Sequence, residues 1–294
     1  MNNCKRGDLF YQADEYFFPV KGKPSFWLTE ERLPLTMKRM KGCEIMKALA
    51  SDFDGTLYLH DEKHNYREGD IVGINQLQAK GALFGLCTGR PLQGITAFLT
   101  ERIQPDFYIV SSGALILDKK QNILFERCLS LDTAIQLSSL EEQIESIAIQ
   151  ADGKIYAYKK ARAFTDIPVI HDMKQLKNAN IHGLSFRMAS EQAAQELCER
   201  LEHQFSNTCA AFQNQNFIDV VPAGCSKGSA LLKLKHLLKL ETCFGIGDSY
   251  NDIPMLKDAD VSFTFHSSPR IVQEAADHIV HAVAEAIQSY ILCE

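Results

Sequence analysis

Three observations predict an α/β protein: a doubly wound parallel sheet with a second, α+β module inserted into it. After residue 46, short apolar strands alternate with helical segments near both ends of the chain. Acidic, hydroxyl and glycine residues cluster immediately behind those strands. Between the two stretches lies a block that carries hairpin signals instead. Strand–helix–strand spacing implies βαβ units and a parallel sheet, whereas hairpins imply antiparallel pairing. The 294 residues allow two domains at about 150 residues each, or one large one.

The elements follow in order. Lys47–Phe53 reads as a short buried strand, and Gly55 lets the chain turn behind it. Glu68–Lys80 carries Ile71, Ile74 and Leu77 at helical spacing, with Gly81 at its end. Leu83–Cys87 is a second strand, Pro91–Glu101 a helix and Phe107–Ser111 a third strand. Leu115–Phe125 reads as a hairpin around Asp118-Lys119-Lys120, and the first part of the core is 46–128.

The inserted module, 129–216, has an amphipathic helix at Leu131–Ile144. Ser146–Gln150 and Lys154–Tyr158 flank Ala151-Asp152-Gly153 as a hairpin. Gly183–Met188 is a strand, and Ser190 caps a helix to Phe205. Parallel character is expected to resume near Phe217 with a strand at Ile218–Val221, so the second core segment is 217–294. It holds helices at Lys227–Leu240, Asn251–Ala259, Ser268–Ala276 and Val283–Ile291. Strands are expected at Cys243–Ile246, Val261–Phe265 and Ile279–Val280. Residues 1–45 show neither period, and two readings stay open: a loosely docked N-terminal extension, or translated leader ahead of Met46.

Composition excludes several function classes. Apolar residues make up 46% and charged residues 23%, which is globular rather than disordered. A net charge of −6 argues against a nucleic-acid binder, which needs a clustered basic excess. No apolar run approaches the ~18 residues of a membrane span. Asp8, Asp14 and Glu15 break any signal-peptide core behind Lys5 and Arg6. Nine scattered cysteines without a CxxC suit reduced thiols, mostly core residues, in a cytoplasmic protein. Lys227–Leu240 could pass for a membrane-surface helix, but Leu231, Leu234 and Leu238 better suit packing on a sheet.

Four clusters carry the chemistry. Asp52-Phe-Asp54-Gly55-Thr56 places two carboxylates on one face at a strand end, suited to cation binding or to a nucleophile with an acid/base partner. Thr88-Gly89-Arg90 offers a hydroxyl and free backbone N–H groups to a phosphate. Lys227 opens a helix, where a cation opposes the helix dipole and invites an anion. Gly247-Asp248-Ser-Tyr-Asn251-Asp252 is oxygen-rich, as Mg²⁺ requires. All four lie at strand ends or on the helices that follow, where open α/β sheets build their sites.

The order DFDGT, TGR, a lone lysine and GDSYND resembles the haloacid dehalogenase superfamily, most closely its Cof-like sugar-phosphate phosphatase branch. The motifs span 47 to 260, and residues 1–45 lie outside the resemblance. The resemblance implies a Rossmann-like core with a cap domain at 129–216. It also implies a Mg²⁺-dependent phosphatase acting on small phosphorylated metabolites such as sugar phosphates. Asp52 would be the nucleophile that forms an aspartyl-phosphate, and Asp54 the general acid and base. Mg²⁺ would be held by the Asp52 carboxylate, the Asp54 backbone carbonyl and Asp248. Thr88, Gly89, Lys227 and Asn251 would bind the phosphoryl group, with Asn251 and Asp252 orienting Lys227 and the metal's waters. Ser111-Ser112-Gly113-Ala114 departs from the Asn-Gly-Ala of many relatives, which removes an Asn from that loop. His182, Tyr156, Arg162 and Arg187 are candidates for substrate contacts from the cap. The alternatives are a phosphomutase using the same aspartyl-phosphate and a non-catalytic binding protein of the same fold. The sequence leaves the oligomeric state open.

Overall fold

The computed structural model describes residues 46–60, 65–140, 143–158 and 167–293. The expectations placed on 1–45 and on Arg162 fall outside them. The large sheet begins with β1 (Lys47–Ser51), β2 (Leu83–Cys87) and β3 (Phe107–Val110). The hairpin strands β4 (Leu115–Asp118) and β5 (Ile123–Glu126) follow. A second sheet takes β6 (Ile144–Ala151), β7 (Lys154–Tyr158), β8 (Ile181–Met188), β9 (Cys209–Asn214) and β10 (Phe217–Pro222). The chain then returns to the first sheet with β11 (Thr242–Ile246), β12 (Val261–Phe265) and β13 (His278–Val280). The strand orders are 13-12-11-1-2-3-4-5 and 7-6-8-10-9.

β13 through β3 run parallel, and β4 and β5 add an antiparallel edge. The two faces of the parallel part differ in bulk. Leu49, Phe84, Leu86, Phe244, Ile246, Phe263 and Phe265 point to one face and pack on α1 (Glu68–Ala79) and α8 (Val283–Ala286). The alternate positions are Ala48, Ala50, Gly85, Cys87, Cys243 and Gly245. Against this thin face lie α5 (Lys227–Leu238) and α6 (Ile253–Asp258). A Cβ at Gly245 would stand 3.2 Å from Met255 Cγ of α6, so small side chains let these helices come close. The second sheet has a hydrophobic core of its own, with Ile147, Ile149, Leu184, Phe186 and Val220 packed under α3 (Leu131–Ser138) and α4 (Glu191–Phe205).

The structure corrects several expected elements. The parallel core does not resume at Phe217: β10 pairs antiparallel with both β8 and β9 and belongs to the second sheet. Its partner β9 went unread because the turn between them is Gln215-Asn216, with Gln215 at φ +52 and no glycine to mark it. α3 stops at Ser138, where the hydroxyls of Ser138 and Ser139 both donate to the Ile135 carbonyl and compete with the helix ladder. Ile144 therefore opens β6 rather than closing a helix. The helix expected at Pro91–Glu101 is only α2 (Leu92–Thr96), whose Gly94, Ile95 and Thr96 are weak helix formers. The helix expected at Ser268–Ala276 shortens to α7 (Arg270–Gln273), with the Ser268 hydroxyl engaged by Thr264 and the Phe265 amide. Four of the cysteines, Cys87, Cys209, Cys225 and Cys243, are buried. Among the described residues no helix is long and apolar enough to cross a membrane.

Candidate active site

The strand order reverses direction at β1, the switch point outside whose strand ends open α/β sheets place their sites. Ser51 stands opposite Ile246, and the Asp52 amide donates to the Ile246 carbonyl at 2.8 Å. Asp52 and Asp248 therefore leave the sheet side by side. Thr88 leaves β2 on the other flank, its amide bonded to the Ile109 carbonyl at 2.9 Å. Gly55 has φ +81, and a Cβ there would stand 2.6 Å from Asp248 Oδ2, so the first loop can fold over the second only with glycine at this place.

Lys227 begins α5. Ser226 and Ser229 cap that helix reciprocally, each hydroxyl accepting the other's amide at 2.9 Å. The Lys227 ammonium is buried and donates to Asp52 Oδ1 and Asp252 Oδ1, both at 2.6 Å. The second oxygen of Asp252 accepts the amides of Asp248 and Ser249 at 3.0 Å. Thr56 donates to Asp248 Oδ1 at 2.8 Å. Carboxylate oxygens of Asp52, Asp248 and Asp252 thus lie within 4.8 Å of one another. Asn251 is buried beside them in the same turn.

Three carboxylates around one ammonium leave the cluster short of positive charge. Burial, and then the charge of Asp252, hold the Asp52 carboxyl well above the usual range, with Lys227 opposing. Asp248 is pushed up to about 6, first by burial and then by Asp252. Burial alone would lower Lys227, but the Asp252 and Asp52 carboxylates outweigh it and raise it. An all-oxygen, electron-rich cluster of this kind fits a hard divalent cation such as Mg²⁺. A carboxyl whose folded pKa exceeds its unfolded one binds the extra proton when folded, so its stabilising share fades as pH rises through the folded value. The metal-free protein should therefore lose stability between about pH 4 and about 6 through Asp248. Mg²⁺ should raise the melting temperature more at about pH 8 than at about pH 5, because it competes with protons for the cluster. Thermal unfolding with Mg²⁺ or a chelator at both pH values checks this, and an equal Mg²⁺ effect at the two would contradict it.

Asp54 is held separately. Arg90 Nε and Nη2 grip its two oxygens at 2.6 Å each, and His60 Nε2 lies 2.6 Å from Oδ1. Arg90 is anchored in turn on the Gly94 carbonyl at 2.9 Å and over the Phe98 ring at 4.9 Å. Sequence reasoning used the Thr and Gly of Thr88-Gly89-Arg90 and passed over the arginine, although it stands in the motif. It also passed over Thr56 in the first motif. His60 carried no signal of its own.

Of the candidate substrate contacts, Arg187 pairs with Glu145 at 3.2 Å on the surface, and Tyr156 packs against the second core. His182 is buried, 2.8 Å from Glu126 Oε1, and Cys128 joins these two within 4.8 Å. The cysteine spacing showed nothing of this group, because its members come from β5, the segment after it and β8.

Residues 49–289 match the family of haloacid dehalogenase-like hydrolases. The chain belongs to that family. It is 28% identical to an HMP-PP phosphatase of Yersinia pseudotuberculosis serotype O:1b over 225 residues, 70% of this chain and 79% of the relative. An HMP-PP phosphatase of Yersinia pestis (strain Pestoides F) is 27% identical over the same shares. A haloacid dehalogenase-like hydrolase from B. subtilis superposes with a TM-score of 0.75 at 19% identity, covering 83% of this chain and all of that one. A haloacid dehalogenase subclass IIB sugar phosphatase superposes at 0.69 with 21% identity, covering 84% and 98%. The α/β architecture and the phosphatase class expected from the motifs agree with these relatives.

Proposed function

We propose that this hydrolase removes phosphate from small phosphorylated metabolites with Mg²⁺ bound, through an aspartyl-phosphate on Asp52. The observation that supports this most is the clamp on Asp52: a buried carboxylate at the topological switch point, fixed at 2.6 Å by a buried lysine and flanked by two further carboxylates. Asp52, Asp248 and the Asp54 backbone carbonyl would hold the metal, which supplies positive charge against the incoming phosphate dianion.

The residues divide the work. Lys227 neutralises charge on the transferring group and fixes the Asp52 oxygen that attacks. Thr88 and the Gly89 loop place the phosphoryl group in line with that oxygen. Asp252 anchors Lys227 and the Asp248 loop together, and Asn251 completes the turn. Asp54 protonates the leaving alcohol and then takes the proton of the attacking water. Arg90 and His60 fix its carboxylate in orientation until substrate arrives. The second sheet acts as a cap that excludes water from the aspartyl-phosphate. The HMP-PP phosphatases among the relatives favour phosphorylated metabolites over macromolecules as substrates.

A panel of phosphorylated metabolites, including sugar phosphates and HMP-PP, should show phosphate release that a chelator abolishes and Mg²⁺ restores. Isomer formation without net release would turn the assignment to a mutase. No turnover of any ester, p-nitrophenyl phosphate and acetyl phosphate included, would return it to a binding protein.

A further inference from the structure

Gln150, Ser185 and Asp219 stand on β6, β8 and β10 of the second sheet, and no step above uses them. The register puts them on one face: Asp219 is opposite Ser185, Ser185 is opposite Ala148, and Gln150 lies two residues beyond Ala148. That face meets the loops behind β2 and β3. The Ser185 hydroxyl donates to Asp219 Oδ1 at 2.6 Å, and the Ser112 hydroxyl reaches Oδ2 at 3.4 Å. Gln150 Nε2 donates to Ser185 Oγ at 3.1 Å and to the Gly89 carbonyl at 3.0 Å. Gly89 is the seat of the contact, since a Cβ there would stand 2.2 Å from Asp219 Oδ2.

Both arms of this network end on Thr88. A trans peptide points its C=O and N–H in opposite directions. Gln150, by holding the Gly89 carbonyl, therefore aims the Arg90 amide the other way, and that amide donates to Thr88 Oγ1 at 3.2 Å. With a lone pair so occupied, the Thr88 hydroxyl keeps its proton free for another acceptor. On the other arm the Ser112 amide donates to the Thr88 carbonyl at 3.0 Å. Ser111 and Ser112 both sit in the left-handed region, at φ +51 and +46, so this turn is held against its own preference.

Asp219 is an expensive choice for packing alone. Its hydrogen bonds come from two hydroxyls and no cation, and burial pushes its carboxyl up. A part-buried carboxyl hydrogen-bonded only to hydroxyls, with Lys227 acting on it as a more distant charge, costs stability that an amide side chain would not. Such a cost points to function.

We propose that Asp219, with Gln150, is a positioning residue by which the second sheet sets the Thr88 hydroxyl and the Gly89 loop for the phosphoryl group. This rests on the reading of Thr88 and Gly89 as the phosphate-binding loop. It makes the second sheet part of the phosphate site as well as its cover.

The test uses the full chain with Mg²⁺ and p-nitrophenyl phosphate, comparing Asp219→Asn and Ser112→Ala with the wild type. Asp219→Asn should lower kcat/KM on the order of 10–100-fold. The loss should fall mainly on KM, with inhibition by inorganic phosphate weakened in parallel. Its melting temperature should be unchanged or higher, because a part-buried carboxyl with no hydrogen-bonded cation has gone. Ser112→Ala, which removes one donor, should shift KM the same way by less. Wild-type kinetics in both variants overturn the proposal. So does a fall in melting temperature with KM unchanged, the mark of a merely structural group. A wild type inert toward the ester overturns the phosphatase reading and this inference together, whereas an active wild type with unaffected variants overturns only this one.

Discussion

Asp52→Asn should abolish turnover and leave the fold standing. The amide has the shape of the carboxyl, so its oxygen still accepts from Lys227 Nζ where Oδ1 does now, at 2.6 Å. On the proposed mechanism it cannot attack phosphorus. Removal of the proposed nucleophile should cost on the order of 10⁶-fold in kcat, the scale seen when a hydrolase loses its covalent nucleophile. The stability change should run the other way. Burial and the neighbouring Asp252 and Asp248 all oppose charge on Asp52, so a neutral side chain relieves the cluster. The expected outcome is turnover at background, no phosphoenzyme in an acid-quenched reaction, and a melting temperature at or above the wild type's. Retained activity would remove Asp52 from the role of nucleophile. Lost activity with lost folding would mean that its charge holds the site together, which the raised pKa argues against.

What the sequence showed and what it hid have one physical division. Asp52, Thr88 and Asp248 were legible because each follows an apolar strand at once, and a parallel sheet brings consecutive strand ends to one edge. Lys227 was legible because a lysine at a helix start is electrostatically out of place. Asp219 left no local mark. It matters only because β10 runs beside β8 and turns that face onto Gly89, and register between distant strands is a tertiary property. β10 was assigned to the wrong sheet for the same reason: Phe-Ile-Asp-Val-Val reads as a strand but does not say which strand it pairs with. His60 follows the same rule, finding Asp54 only after the first loop has folded back over Gly55.

Lys227→Met should destabilise the protein as strongly as any single change in it, and in a pH-dependent way. The methionine fills the volume of the lysine stem, so no large cavity enters the comparison. What disappears is the ammonium shared by Asp52 and Asp252, both buried. Breaking a buried ion pair from one side costs about 3–5 kcal/mol, because the partner is left charged and without its counter-ion. Two partners are stranded here, and Asp248 adds a third negative charge. Without the ammonium the folded pKa of Asp52 moves further above its unfolded value, and the stranded carboxyl can escape its charge by taking up a proton. The linkage then has a fixed sign: the folded variant binds more protons than the unfolded chain, so stability falls as pH rises. Denaturant unfolding should show a deficit that is small at about pH 5 and largest at about pH 8. Mg²⁺ should recover part of it at the higher pH by replacing the lost charge, and activity should not return with it, since on the proposed mechanism the phosphoryl group has lost its own cation. A deficit that is flat with pH would mean that Lys227 contributes packing rather than charge.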